Sequence, residues 1–452
     1  MLQKEINSKP NPLQIVPVAE RHRKLIALQG VIEKREMDIL DALHADFGKS
    51  PFESVASEWG IVLSELRYFI KNIKRWSVPH RVRSSILNFP SRAYIYREPY
   101  GHVLVIGPWN YPFLLTMQPV IGAFAAGNTV TLKPSELATH TGKVVEEIIR
   151  SVFNESEVEV VQGGVEVASE LLSRRWDLIF FTGSVKVGKI VAKAAAEYLT
   201  PTILELGGKN PCIINVDVNV KLVARRLVWG KFFNGGQTCI APDYLLVHRA
   251  VKEQIVEAFR EEIAAAYTDN PGESPDFPRI INRRNFDRLV QLLEGQQILI
   301  GGDYRTEDLY IAPTLVDEPS LDSPLMADEI FGPILPVLSY ETEADIERII
   351  GRYERPLSLY VFSKSIDFSE RMIRRYSFGG GVVNDTLVYF ANEHLPFGGI
   401  GNSGMGRYHG VHTFEAFTHE KPVVWRGNWL DIPVRYAPYK GKLKWLKFFL
   451  RF

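Results

Sequence analysis

Cysteine is nearly absent: Cys212 and Cys239 are the only two in 452 residues. So few exclude a disulfide framework and make a reducing compartment the default. Charge of either sign is not in excess, since Lys plus Arg and Asp plus Glu each number 53. A zero net charge offers no bulk attraction for nucleic acid or anionic lipid. No run of about 18 apolar residues occurs, which excludes a bilayer-spanning helix. The opening MLQKEINSKPNPLQ has no apolar signal-peptide core. No internal repeat, low-complexity linker, GxGxxG fingerprint or His/Cys cluster at metal-ligand spacing appears, so no metal is expected. What remains is 46% hydrophobic and 23% charged, the composition of a cytoplasmic globular protein rather than a disordered or fibrous one. At about 150 residues per domain the length suits two or three domains.

Leu25, Leu28 and Ile32, then Ile39, Leu40 and Leu43, recur at helical spacing. A second helical stretch runs from about Phe52 to Trp76, and RAYIYRE at 92–98 alternates like an exposed strand. After Gly101 short apolar runs (HVLVIG, NTVTLK, EVEVVQ, DLIFFTG, PTILELGG) alternate with amphipathic stretches such as Glu136–Phe153 and Val185–Leu199. A second series (PCIINV, DYLLVH, QILIGG, LSLYVF, GGVVND) starts at Asn210. Strands buried on both faces and separated by helices predict parallel, doubly wound sheets. The fold class is α/β, with two such blocks meeting near Leu206–Lys209.

Several segments have the residue types that chemistry needs, and each has a plainer reading beside it. Phe180–Gly188 reads strand, glycine turn, helix, with Gly183, Ser184 and Gly188 where a pyrophosphate meets free N–H groups, or where an ordinary turn sits. Lys133 and Glu136 follow a strand and suit two ribose hydroxyls; alternatively they are a solvated turn with Ser135 capping the next helix. Cys239, after Gly235-Gly236-Gln237-Thr238, stands at a turn of small and polar residues that can open into a cleft, whereas Cys212 lies in an apolar strand and reads as core. Glu205 ends an apolar strand, where burial would make it a general base unless a cation pairs with it. Asn110, at the kinked turn Trp109-Asn110-Tyr111-Pro112, is either an oxyanion donor or a turn-former.

The segments IGPWNYPF, LKPSE, FFTGS, LELGGKNP, GQTC, DEIFGP and LPFGG, in this order over residues 100–400, resemble the aldehyde dehydrogenase superfamily. CIAPDY, GNSGMGRYHG and RYAPY are most similar to its class 3 branch, which acts on fatty and aromatic aldehydes. The resemblance implies that Cys239 is the nucleophile, Asn110 with the Cys239 N–H the oxyanion site, and Glu205 the base that hydrolyses the thioester. It also implies that NAD or NADP lies against Lys133, Glu136, Gly183, Ser184, Gly188, Leu206, Glu329 and Phe331, and that Trp109, Tyr111 and Phe397 flank the substrate. Residues 1–208 would form the cofactor domain, 209–417 the catalytic domain, and 418–452 with 80–100 a bridging element that joins a homodimer.

The resemblance further implies oxidation of a medium- or long-chain aliphatic, aromatic or isoprenoid-derived aldehyde to the free acid. A semialdehyde or coenzyme-A-acylating activity is the alternative, and a non-catalytic structural relative another. Gln237, Thr238, Ile240 and Ala241 beside the cysteine bring no cation for a charged substrate. The last residues, 442–452, are basic and aromatic, and suit docking on the body or partner subunit, or peripheral contact with an anionic membrane surface.

Overall fold

The computed structural model describes residues 16–85 and 88–450. The chain opens with helices Val18–Lys34 and Glu36–Phe47, and the apolar stripes read from spacing are the ones that bury: Leu25, Leu28, Ile32, Ile39 and Leu43 are fully enclosed. Pro51–Ser54 leads through a π-helical turn, Val55–Trp59, into helix Gly60–Trp76. That helix hides Val62, Leu66, Phe69 and Ile73, each worth about 1.5–3 kcal/mol of apolar burial.

The first sheet runs in the spatial order Gly404–Met405, Thr202–Glu205, Leu178–Thr182, His102–Ile106, Thr129–Lys133, Val158–Val160. All its pairings are parallel except that of Gly404–Met405. The chain winds outward from His102–Ile106 in one direction and then in the other. The strand order therefore reverses between His102–Ile106 and Leu178–Thr182, where α/β sheets bind ligands at the carboxyl ends of their strands. The second sheet has seven strands ordered Ile298–Ile300, Thr314–Asp317, Ile334–Tyr340, Tyr244–His248, Pro211–Ile214, Ser358–Phe362, Gly380–Val383. Only the first of these pairs antiparallel. The two doubly wound sheets are the expected architecture, and Gly404–Met405 carries the later part of the chain back to the first sheet's edge beside Glu205.

Two strands of the second sheet are not evident in the sequence. Thr314–Asp317 is only four residues long, and Ile334–Tyr340 contains Pro336, which ordinarily argues against a central strand. Helix Thr139–Val152 also begins later than expected, and Ser135 does not cap it: its hydroxyl instead accepts from Leu137 N–H at 3.3 Å. The first turn is met from outside, by Asp46 accepting from the N–H groups of His140 (3.1 Å) and Thr141 (2.9 Å).

Ser91–Pro99 pairs antiparallel with Thr418–Arg426 over nine residues, with His80–Val82 added on its far side. Beyond this ladder the chain ends in helix Leu443–Phe449. In that helix Trp445 is 61% exposed, and Leu443 and Leu446 are exposed with it. Arg451 and Phe452 lie outside the described residues. Among the described residues no helix is long and apolar enough to cross a membrane.

Candidate active site

Strand register sets one edge of the site. Lys133, Ile106, Phe181 and Leu204 occupy one row across four strands of the first sheet, so the segments that follow them emerge side by side. Lys133 is buried and its ammonium meets the half-exposed Glu136 carboxylate at 2.5 Å, which holds that carboxyl below its ordinary range against the opposing effect of burial. Gly183 N–H donates to the Glu205 carbonyl at 3.0 Å. Ser184 caps helix Val185–Ala196 by accepting from Val187 N–H. One turn further, Gly188 packs on Leu206, whose Cδ2 would lie 2.6 Å from any added Cβ. The Thr182 hydroxyl and both Glu205 carboxyl oxygens are buried there without a hydrogen-bond partner among the described residues. Orphaned polar atoms at the ends of adjacent strands are costly unless a bound polar ligand meets them.

The cysteine turn faces this edge. Asn234, Gly235 and Gly236 are all left-handed (φ 54°, 60° and 73°), a conformation that Asn and Gly tolerate and other residues strain to adopt. A Cβ on Gly236 would also strike the Gly332 carbonyl. Past the turn, the Cys239 carbonyl accepts from Asn210 Nδ2 at 2.8 Å and the Ile240 carbonyl from the Tyr360 hydroxyl at 2.6 Å, which clamps the Cys239 peptide. The Asn110 turn is tied to the same loop. Asn110 Nδ2 donates to the Gln237 carbonyl at 3.1 Å, and the Tyr111 and Thr238 hydroxyls lie 2.6 Å apart. Cys239 is partly accessible while Cys212 is buried, as the sequence separates them.

Electrostatics in this cleft oppose ionisation. Burial drives the Cys239 thiol upward, and the nearby Glu329 and Glu205 carboxylates raise it further against its own N–H and that of Ile240. Burial alone holds Glu205 far above the carboxylate range, and no cation among the described residues pairs with it. Glu329 is raised to about 8, first by burial and then by Asp243, against the Gly208 amide, Lys231 and Lys209. Gly207 has no room for a Cβ because the Glu329 carboxylate lies against it. Lys209, buried, fixes that approach: it pairs with Asp243 at 2.7 Å and donates to the Leu325 (2.8 Å) and Asp328 (2.9 Å) carbonyls. Phe331 is left-handed at φ 54° and meets Trp109 edge to face, with ring centroids 5.2 Å apart. Phe397 sits deeper, stacked on Tyr389 and His409 at 5.8 and 5.2 Å.

The sequence did not reveal what stands beneath both turns. Lys49 and Glu58 form a fully buried ion pair at 2.6 Å. The other Glu58 oxygen accepts from Phe113 and Leu114 N–H at 2.9 and 3.2 Å, anchoring the residues just after Asn110. Glu53 accepts from Asn234 N–H at 2.7 Å. Burial lifts the Glu53 carboxyl to about 7; Lys49 and the Asn234 amide pull it down, while Glu58 and Asp276 push it up. Glu58 is at i+5 from Glu53, a spacing that diverges on an α-helix, and the π-turn Val55–Trp59, which contains Glu58, widens the helix at that point. A π-turn leaves no simple mark in sequence.

A parallel sheet with unpaired polar atoms at its switch point, faced by a clamped cysteine and a buried carboxyl, is the layout of an α/β enzyme. Within that class, the chain belongs to the aldehyde dehydrogenase family, whose model matches residues 7–423. It is 44% identical to the 4,4'-diaponeurosporen-aldehyde dehydrogenase of Staphylococcus aureus, over 98% of this chain and 96% of that one. It is also 44% identical to aldehyde dehydrogenase family 3 member A2 of Pongo abelii, over 96% and 90%. The solved structure described as the substrate-bound state of Staphylococcus aureus AldH superposes with a TM-score of 0.95 at 44% identity, covering 97% of this chain and 96% of that one. The family 3 relatives match the class 3 features of the sequence. The enzyme is an oxidoreductase acting on aldehydes, and its family uses NAD(P).

Proposed function

We propose that this enzyme oxidises an apolar aldehyde, of medium- or long-chain aliphatic, aromatic or isoprenoid type, to the free carboxylic acid. The observation that carries this reading is the buried, unpaired Glu205 carboxyl beside Cys239. Cys239 attacks the carbonyl as a thiolate, and the thiohemiacetal oxygen takes its negative charge at the free amide hydrogen of Asn110 and the Cys239 N–H. A bound NAD(P) would supply the hydride acceptor for this adduct, which leaves Cys239 as a thioester. Glu205 then takes a proton from water, which adds to the thioester and expels the Cys239 thiolate. A base at this position favours the free acid over acyl transfer to coenzyme A.

Glu329 and Phe331 hold the nicotinamide ribose. Lys133 and Glu136 hold the adenosine ribose, with Gly183, Ser184, Gly188 and Leu206 between. Glu136 favours the free 2′-hydroxyl of NAD, and Lys133 offsets the charge of a 2′-phosphate enough for both cofactors to serve. Trp109, Tyr111 and Phe397 flank the substrate, consistent with the aromatic surroundings and with the aldehydes that the relatives' names describe. Residues 1–208 act as the cofactor unit and 209–417 as the catalytic unit. The ladder of 80–100 with 418–452 joins two subunits, because exposed Val424 and Trp425 on its last strand call for cover. The tail contacts an anionic membrane surface peripherally, which suits delivery of lipophilic aldehydes.

The test is NAD(P)H formation across aldehydes from acetaldehyde to long-chain and aromatic ones, with each cofactor. kcat/KM is expected to rise with chain length and to vanish in Cys239→Ala. A preference for short or charged semialdehydes would overturn the substrate reading, and turnover in the variant would overturn the nucleophile.

A further inference from the structure

We infer that Glu53 is a positioning residue for the oxyanion site, acting through Asn234; this rests on the role proposed above for Asn110. The connections form one chain of hydrogen bonds through the buried floor of the cleft. Glu53 accepts the Asn234 backbone N–H at 2.7 Å. Asn234 Nδ2 donates to the Asn110 carbonyl at 2.8 Å and to the Gln237 carbonyl at 3.2 Å. Gln237 receives the Asn110 side-chain amide at 3.1 Å on that same carbonyl oxygen. Asn234 thus grips both the Asn110 turn and the cysteine turn, beside the Asn110–Gln237 and Tyr111–Thr238 links, and it does so from a left-handed backbone at φ 54°.

A left-handed asparagine can relax to ordinary backbone unless something holds its N–H in place. Glu53 does this, from the N-terminal helical segment, 181 residues earlier in the chain. Without that acceptor the Asn234 N–H is stranded in the interior and the turn rotates to satisfy it. The Asn110 amide, whose orientation hangs on the same turn, then loses its aim at the oxygen that gains charge. Glu53 touches neither substrate nor cofactor; its effect falls on the transition state, where donor geometry counts most.

The readout is the pre-steady-state rate of NADH formation, which reports the steps through hydride loss. Four forms are compared: Glu53→Ala, Glu53→Gln, Asn110→Ala and the double variant Glu53→Ala with Asn110→Ala. Glu53→Ala is expected to slow the burst by about 10- to 100-fold, less than outright deletion of an oxyanion donor. Glu53→Gln, which keeps an acceptor oxygen, is expected to restore the rate to within a few fold. On the Asn110→Ala background, Glu53→Ala is expected to add less than about twofold, because the group it serves is gone. Asn234→Gly keeps the left-handed turn and removes the bridge, so it replaces Glu53→Ala if that variant does not fold, with the same expected loss. Equal losses on both backgrounds would mean general structural damage and overturn the inference, as would an unchanged burst in Glu53→Ala. Should Asn110→Ala itself leave the burst intact, the oxyanion reading fails and this inference with it.

Discussion

Glu205→Gln separates the two halves of the reaction. The substitution keeps the shape of a side chain whose two oxygens lie buried without partners, so no ion pair or hydrogen bond is broken and the fold is expected to survive. What disappears is a proton acceptor for the hydrolytic water. General-base assistance contributes about 10²- to 10⁴-fold, equivalent to roughly 3–5 kcal/mol of barrier. The loss falls only on thioester hydrolysis, because attack by Cys239 and departure of hydride do not use this carboxyl. Stopped-flow absorbance should therefore show a normal burst of about one NADH per Cys239, followed by a steady state slower by that factor. Burial holds the wild-type carboxyl far above its ordinary range, so only its ionised fraction acts as base. Hydrolysis in the wild type should climb about tenfold per pH unit below that raised pKa, and the variant should lose the slope. Unimpaired steady-state turnover in Glu205→Gln would refute the assignment of the base; a missing burst would show that the carboxyl acts earlier.

Glu65 offers a stability test away from the chemistry: burial raises it to about 8, opposed by Gln118 and Thr413. Its folded-state pKa lies above the ordinary 4.5, so the stability that it provides as a neutral group is complete below 4.5 and is lost as pH rises towards 8. Glu65→Gln should raise Tm relative to wild type by an amount that grows between pH 5 and 8, with an upper bound of about 3 kcal/mol at pH 7; a Tm difference that is flat with pH would contradict it. Glu136→Gln removes the carboxylate paired with Lys133, and the kcat/KM ratio of NADP to NAD should rise about tenfold, where an unchanged ratio would place the adenosine ribose elsewhere. Deleting the chain after Tyr439 removes Lys440, Lys442, Lys444, Trp445 and Lys447. Sedimentation with phosphatidylserine-containing vesicles should fall on this truncation and be negligible with neutral lipid, whereas equal sedimentation with and without the tail would exclude membrane contact through it.

The fold was legible wherever a single period or turn decided an element. The runs HVLVIG, NTVTLK, DLIFFTG and PTILELGG become neighbouring strands because each is buried on both faces, and their ends and the turns after them carry Asn110, Lys133, Gly183 and Leu206. Failures occurred where tertiary contacts override local preference. Pro336 lies inside a parallel strand of the second sheet, and the helix at Thr139 begins where Asp46 meets its free amides rather than at Ser135. The supports of the site were invisible for a related reason. Lys49, Glu53 and Glu58 look like helix-surface charges, and only the π-turn and the packing of a distant loop reveal them as buried partners.

Cys239 and Glu205 also show why the site's chemistry depends on what fills it. The Cys239 thiol lies near two carboxyls in a buried cleft, and each ionised carboxylate makes thiolate formation harder. The thiolate is nevertheless required, since a thiol is a poor nucleophile. A positively charged nicotinamide ring lying near the thiol would reverse the local field and lower its pKa. The same carboxyls that suppress the free thiol thus link nucleophile activation to cofactor binding. Iodoacetamide should accordingly alkylate Cys239 faster with NAD present than without, except where the bound cofactor shields the sulfur. Alkylation that is faster at high pH only in the free enzyme would mark that same coupling from the other side.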